Sequence, residues 1–445
     1  MKAAEDCRRE GEPAIKGLRS LFLSVLIARN ITLKLVSEIA ARAIQFGFII
    51  VAARRLGPPG FGAYSFAVAL GFVLAQFCDL GLQLYVAREL ASAPGRRAKI
   101  LGAALWCKLA LLAASIVFLL AYVRAQAGIA ERDILFVLAL AVMLTSQLEF
   151  LNYAFRGYQR LEFEAGLILV SRILGPGIAM PALLYGSSLR MVSWNLLLAN
   201  LAAIALGYYW LTRYFTRPDM RVSRAEWWHA LTRVLPLGIA ILLSALYTRM
   251  GIMLLTWFAS LETAGWFNAA QRLTEPLQLV PAIALAAIFP AFAGLSNVEQ
   301  QRVLARRTLL SLFVLAIATA FGGWLKADTI VSTLFGSAFQ PSAAALRWLA
   351  LALVPMFLNY ALTHFIIARG RPWLNVLSTL IILVENLLLN LWLVPRHGVI
   401  GAALSLLVSE ITFLGLCAFG FWRAMQADTC LPGPGPHGPH DSEGL

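Results

Sequence analysis

Charged residues are scarce in this chain. Asp, Glu, Lys and Arg together make up 13% of its 445 residues, whereas hydrophobic residues make up 60%. A soluble domain cannot hide that much apolar surface from water, so lipid must be the solvent for most of the chain. The composition therefore excludes an ordinary soluble protein and predicts an all-α integral membrane protein.

Cysteine and histidine are also few, with five of each. No two cysteines have the spacing of a zinc or redox motif, which argues against a disulfide framework and a metal site. P-loop and kinase motifs are absent from the sequence, so we expect no ATP coupling and no cofactor. The net charge of +14 is spread between hydrophobic segments, which indicates basic loops beside a bilayer rather than a nucleic-acid partner.

Twelve apolar stretches are long enough to cross a bilayer, which requires about 20 mainly apolar residues. They lie near residues 33–53, 63–86, 100–123, 134–155, 166–185, 189–212, 233–257, 266–292, 308–326, 346–367, 374–394 and 400–422. Lys and Arg outside these stretches concentrate in alternate loops, which predicts that both termini are cytoplasmic.

The longest cytoplasmic loop divides the spans into two sets of six, and the two halves echo one another. Arg156 and Gly157 precede the fifth span as Arg369 and Gly370 precede the eleventh. This repetition favours two six-helix bundles around a central cavity. The predicted organisation is a cytoplasmic basic amphipathic lead-in (1–32), an N-terminal bundle (33–212), a cytoplasmic linker (213–232), a C-terminal bundle (233–423) and a disordered cytoplasmic tail (424–445).

Charged side chains inside the spans cost about 2.5–3.5 kcal/mol each at a helix centre on insertion scales, so each one is a functional candidate. Unmatched cations at depth need an aqueous or anionic partner, and we expect three of them to line a water-filled cavity: Arg42, Arg249 and Arg272. We interpret Lys108 and Glu410 as contacts between helices or as side chains reaching the headgroups.

Four motifs occur in order along the chain. They are RLGPPGFGAY at residues 55–64, DLGL at 79–82 with ARE at 87–89, AGWFNAAQRL at 264–273, and LVPRHGVIGAA at 393–403. Together they resemble the polysaccharide transporter, or O-antigen-type flippase, branch of the MOP (MATE-like) exporter superfamily. One departure is that Arg249 is followed by Met250 and Gly251, where many members of that branch have an acidic residue two positions after the arginine.

The resemblance implies a MATE-like fold that exports a polyprenyl-pyrophosphate-linked oligosaccharide, an O-antigen or exopolysaccharide repeat unit. Transport would run from the inner to the outer leaflet of a bacterial inner membrane by alternating access. The implied partners are membrane lipid, the lipid-linked oligosaccharide and other polysaccharide-assembly membrane proteins.

Residue roles follow from that substrate. Arginines can donate paired hydrogen bonds to phosphate, so we expect the pyrophosphate to be held by Arg42, Arg249 and Arg272, with Arg172 as a further candidate. Three carboxylates are expected to pair with these cations when no substrate is present, or to carry a coupling proton: Glu38, Asp79 and Glu275. Four amides are expected to bond sugar hydroxyls: Asn268, Gln271, Asn359 and Asn390.

Two alternative functions remain compatible with the sequence. A drug or cation exporter on the same fold would need carboxylates and aromatic side chains in its cavity rather than arginines. A membrane glycan polymerase or ligase would place catalytic groups on a large outer loop, and the largest one here spans only residues 327–345. The sequence therefore predicts a transporter rather than an enzyme.

Overall fold

The computed structural model describes residues 2–125, 132–295, 297–369 and 372–427, with side chains described from residue 39 onward except at residues 224, 225, 229, 236, 287 and 372. Every regular element within these ranges is helical, as predicted. The side chains of the predicted lead-in, the side chain of Glu38 and most of the predicted tail lie outside what is described.

Eight helices lie in the described residues up to 214. They are α1 (Lys2–Asp79), α2 (Leu82–Ser92), α3 (Arg97–Ala125), α4 (Arg132–Met143), α5 (Thr145–Gly157), α6 (Leu161–Arg172), α7 (Ile178–Leu184) and α8 (Leu189–Tyr214). A 3-10 turn at Pro94–Arg96 precedes α3, and a π-helical turn at Ile173–Gly177 joins α6 to α7.

Six helices follow. They are α9 (Arg224–Phe258), α10 (Leu261–Thr274), α11 (Leu279–Gly294), α12 (Val298–Phe335), α13 (Ser342–Ala368) and α14 (Pro372–Ala427). Short 3-10 turns at Glu275–Gln278 and Ser337–Phe339 separate α10 from α11 and α12 from α13.

The number of membrane spans depends on two glycines. Ten helical stretches in the described ranges are long and apolar enough to cross a membrane, and two of them, Ile39–Ser92 and Trp373–Gln426, are 54 residues long. A straight helix of that size would measure about 80 Å, far more than the hydrocarbon core of about 30 Å. Each stretch is kinked where a glycine leaves the helical region, at Gly57 (φ 65°) and at Gly398 (φ 54°). Dividing both stretches there adds two spans to the ten, and the resulting twelve agree with the prediction.

The chain forms two compact units, an N-terminal unit (Met1–Ala245) and a C-terminal unit (Leu246–Leu445). This division falls inside α9, so the segment predicted as a linker, 213–232, belongs to the N-terminal unit.

The segment before α9 packs on α3. The backbone N–H of Asp219 donates to the carbonyl of Ala98 at 2.9 Å, and the indole N–H of Trp106 donates to the carbonyl of Met220 at 3.0 Å. A Cβ at Gly102 would lie 1.8 Å from the carbonyl oxygen of Asp219, so this close approach requires glycine.

Each unit has its own apolar core. In the N-terminal unit Leu82, Leu101 and Phe150 pack together between α2, α3 and α5. In the C-terminal unit Leu312 and Phe357 pack between α12 and α13. Large apolar side chains are also exposed along α12 and α14, as expected for helices whose outer faces contact lipid.

Candidate functional site

Two arginines and one glutamate form an ionic cluster in the C-terminal unit. Arg249 lies on α9, Arg272 near the end of α10, and Glu275 at the first position of the turn that follows. One carboxylate oxygen of Glu275 accepts from Arg249 Nη1 at 3.1 Å, and the other accepts from Arg272 Nη1 at 2.8 Å. We call these three residues the arginine–glutamate cluster. Its formal charge is +1, because one carboxylate is shared by two guanidinium groups.

The local sequence explains how α10 presents two of these groups. A capping box of Ser260 and Thr263 fixes the start of α10. Pro276 cannot donate a backbone hydrogen bond, and the chain changes from α-helix to a 3-10 turn at this point. Arg272 and Glu275 are three residues apart and therefore share one face.

The contact with α9 depends on a small residue. A Cβ on Gly251 would lie 3.1 Å from the ring of Phe267, so a larger side chain would require this ring to shift. Gln271 also joins the two helices, since its side-chain amide donates to the carbonyl of Thr248 at 3.4 Å.

The cluster is partly shielded from solvent but remains accessible. The side chains of Arg249 and Arg272 are 13% and 14% exposed, and that of Glu275 is 30% exposed. Charge pairs in such surroundings interact more strongly than at an open surface, because water screens them less. An incoming phosphate can therefore accept hydrogen bonds from either guanidinium in place of Glu275.

A second basic group lies in the N-terminal unit. Arg172 Nη1 donates to the amide oxygen of Gln45 at 2.9 Å, which joins α6 to α1. Glu149 on α5 interacts electrostatically with Arg172. Arg42 is exposed on α1, three residues before Gln45 and thus on the same face.

The π-helical turn that follows Arg172 contains Pro176. Such single π turns inside α-helices are frequent at functional sites. The turn directly follows Arg172, the last residue of α6.

Asp79 pairs with a lysine rather than with Arg42 or Arg172, the predicted arginines of its own unit. It forms an ion pair with Lys108 on α3, with 2.9 Å between Asp79 Oδ1 and Lys108 Nζ. Both side chains are buried, at 4% and 0% exposed, and the ammonium also lies over the ring of Phe150 at 5.4 Å. This pair holds the end of α1, where Leu80 and Gly81 turn the chain with positive φ angles of 41° and 82°.

The four predicted amides differ in their accessibility. Asn268, Asn359 and Asn390 are buried, whereas Gln271 is partly exposed. Asn390 donates to Asn386 on the same helix at 2.9 Å. Gln271 is therefore the member of the set with a partly exposed side chain.

Glu410 makes contacts between helices, one of the two interpretations drawn from the sequence, and it is the centre of a buried polar network. The hydroxyl of Tyr247 donates to Glu410 Oε1 at 2.8 Å, and the side-chain amide of Asn359 donates to Oε2 at 2.8 Å. The three residues come from α9, α13 and α14, which lie far apart in the sequence. Of these three residues, only Glu410 could be recognised from the sequence as needing such contacts, because a carboxyl inside an apolar span requires hydrogen-bond donors.

Family comparisons agree with this architecture. The family described as Polysaccharide biosynthesis protein matches residues 27–296, which is more than half of the chain. The chain belongs to this family. The family described as Lipid II flippase MurJ matches residues 167–432. The resemblance proposed from the four motifs is thereby confirmed.

Two curated relatives extend over most of the chain. The probable low-salt glycan biosynthesis flippase Agl15 of Haloferax volcanii is 24% identical over 388 residues, which cover 86% of this chain and 81% of the relative. The putative O-antigen transporter of Shigella flexneri is 23% identical over 385 residues, which cover 81% of this chain and 88% of the relative.

Solved structures establish the fold. The lipid II flippase MurJ in an inward closed conformation superposes with a TM-score of 0.72 at 12% identity, covering 89% of this chain and 91% of that structure. An inward-facing multidrug resistance MATE family transporter of the MOP superfamily gives 0.67 at 18% identity, covering 88% of this chain and 96% of that structure. The predicted MATE-like fold is confirmed, and the protein is a multi-pass membrane protein.

Proposed function

We propose that this protein is a flippase for a polyprenyl-pyrophosphate-linked oligosaccharide, such as an O-antigen or exopolysaccharide repeat unit. It carries this lipid from the inner to the outer leaflet of a bacterial inner membrane by alternating access, with both termini in the cytoplasm. The observation that supports this proposal is the positively charged arginine–glutamate cluster in a membrane-spanning unit. The names of the two curated relatives, a glycan biosynthesis flippase and an O-antigen transporter, agree with it.

The cluster has the chemistry that a pyrophosphate needs. A guanidinium group can donate two parallel hydrogen bonds to phosphate oxygens, and such charge-assisted bonds are roughly twice as strong as neutral ones. In the absence of substrate, Glu275 occupies one hydrogen-bonding position on each of Arg249 and Arg272. Substrate entry exchanges the carboxylate for phosphate, and the return of Glu275 promotes release on the other side of the membrane.

Membrane potential can supply part of the driving force. An inside-negative potential favours outward movement of an anion by about 2.3 kcal/mol per charge per 100 mV. A dedicated coupling ion is therefore not required for net export of a pyrophosphate-linked lipid.

The cation exporter is less compatible with this site. Its substrate would meet two guanidinium groups, and the nearby carboxylate is already shared between them. A polymerase or ligase is also less compatible, because both curated relatives that span most of the chain have transport names.

The test is complementation of cells whose own lipid-linked oligosaccharide flippase has been deleted. Arg272→Gln removes the charge and the paired donors while keeping a similar length, and we expect surface glycan to fall at least tenfold. The matched control is Arg190→Gln, because Arg190 is 59% exposed and forms an ion pair of 2.8 Å with Asp133 within the N-terminal unit. Wild-type glycan from Arg272→Gln, at equal protein level in the membrane, would contradict the proposed role of the cluster.

A further inference from the structure

A groove of about 450 Å³ lies on the C-terminal unit, near the start of α12. Two arginines line one part of it, Arg302 and Arg306. Apolar side chains from α12, α13 and α14 line the rest, including Leu310, Phe313 and Phe421. The groove therefore combines a basic end with an apolar floor.

The basic end is available to a ligand. Arg302 and Arg306 are both exposed and lie four residues apart on α12, so they project from the same face about 6 Å apart. Arg302 contacts Glu299 at 3.5 Å, with side-chain exposures of 45% and 70%. Exposed pairs of this kind are weak, so an anionic headgroup can compete for Arg302.

The apolar part continues along the outer face of α12. Leu310, Val314 and Ile317 are 61%, 60% and 46% exposed and follow one another at intervals of three or four residues. From Arg306 to Ile317 the helix rises about 16 Å, which is close to half of the hydrocarbon core of about 30 Å. The basic end and the apolar stripe together match the length of one leaflet.

We propose that this groove binds one anionic glycerophospholipid of the surrounding membrane. Its phosphate lies between Arg302 and Arg306, and one acyl chain lies along Leu310 and Phe313. Charge complementarity identifies the headgroup, since basic pockets between transmembrane helices bind anionic lipids. The lipid carrier of the substrate has similar chemistry, but the candidate pyrophosphate cluster is built on α9 and α10, whereas this groove is built on α12, α13 and α14.

The test is native mass spectrometry of the purified full chain after delipidation in neutral detergent. The probes are phosphatidylglycerol and phosphatidylcholine with identical acyl chains. We expect the wild type to bind phosphatidylglycerol at least tenfold more tightly. The double variant Arg302→Gln, Arg306→Gln should bind phosphatidylglycerol about 25-fold more weakly, which is about fivefold for each arginine near a headgroup. Its affinity for phosphatidylcholine should not change.

Two further variants make the result specific. Arg307→Gln removes an exposed arginine of α12 that does not line the groove, and it should change affinity by less than twofold. Leu310→Trp narrows the apolar part of the groove and should lower the affinity for both lipids about fivefold. Equal affinity of the wild type for both lipids, or an equal loss in Arg307→Gln and the double variant, would overturn the proposal. Displacement of phosphatidylglycerol by an equimolar polyprenyl pyrophosphate would also overturn it and assign the groove to the carrier.

Discussion

Replacing Asp79 with Asn should destabilise the N-terminal unit by about 3–5 kcal/mol, because removing one member of a buried ion pair leaves the other charge without compensation. The ammonium of Lys108 is fully buried, and Asp79 is its partner at 2.9 Å. The ring of Phe150 at 5.4 Å offers the ammonium a cation–π contact of about 0.5–2 kcal/mol, too little to replace a carboxylate.

The same reasoning predicts a large coupling energy. Lys108→Met should also cost about 3–5 kcal/mol, because it leaves the carboxylate unpaired. The double variant Asp79→Asn, Lys108→Met removes both charges together and should cost less than either single change. The assay is unfolding of the purified protein in mixed detergent micelles, with a double-mutant cycle to isolate the pair.

An exposed pair gives the matched control. Arg190 and Asp133 are separated by 2.8 Å, but their side chains are 59% and 50% exposed. Each single change there should cost about 0.2–1 kcal/mol. The reasoning is refuted if Asp79→Asn costs no more than Asp133→Asn, since burial would then add nothing to the value of the pair.

Two further predictions concern packing and buried hydrogen bonds. Gly238→Ala should destabilise the protein by about 1–3 kcal/mol in thermal unfolding, because its Cβ would lie 2.2 Å from the carbonyl oxygen of Leu80. Gly415→Ala, where a Cβ meets nothing within 4 Å, should be neutral or stabilising by up to about 1 kcal/mol, and a similar loss at both sites would contradict the packing argument. Glu410→Gln should stay within about 1 kcal/mol of wild type, since its amide oxygen can accept from Asn359 and its amide N–H can donate to the hydroxyl oxygen of Tyr247. Glu410→Leu should cost about 1–3 kcal/mol for each donor left unsatisfied. Equal stability of these two variants would show that the buried network contributes nothing.

The membrane fold was predictable from the sequence because it depends on properties that act locally. The length of each apolar stretch determines whether it can span a bilayer, and basic loops separate the stretches. Gly57 and Gly398 lie in or beside short gaps between predicted spans, and both turn the chain there with a positive φ. The start of α9 ahead of the predicted span 233–257 was missed, although the sequence carries a capping box there. The backbone N–H of Ser223 donates to Glu226 Oε2 at 2.9 Å, and the backbone N–H of Glu226 donates to Ser223 Oγ at 3.3 Å.

The candidate site was only partly predictable. Arg272 and Glu275 could be placed on one face because three residues separate them on a helix. Contacts between helices depend on how each helix is rotated and how deeply it packs, and one sequence carries little information about either. Asp79 therefore has Lys108 as its partner, and Asn359 donates to Glu410, two pairings that spacing did not indicate.

Equilibrium binding of a labelled polyprenyl pyrophosphate to the purified full chain tests the central proposal most directly. Substitutions within the arginine–glutamate cluster should change the affinity for this ligand in opposite directions. The double variant Arg249→Gln, Arg272→Gln should bind at least 100-fold more weakly, because each guanidinium contributes about 1.5–3 kcal/mol through charged hydrogen bonds. Glu275→Gln should bind about tenfold more tightly, since the carboxylate that competes with phosphate is gone. Unchanged binding in both variants, or weaker binding in both, would contradict the account.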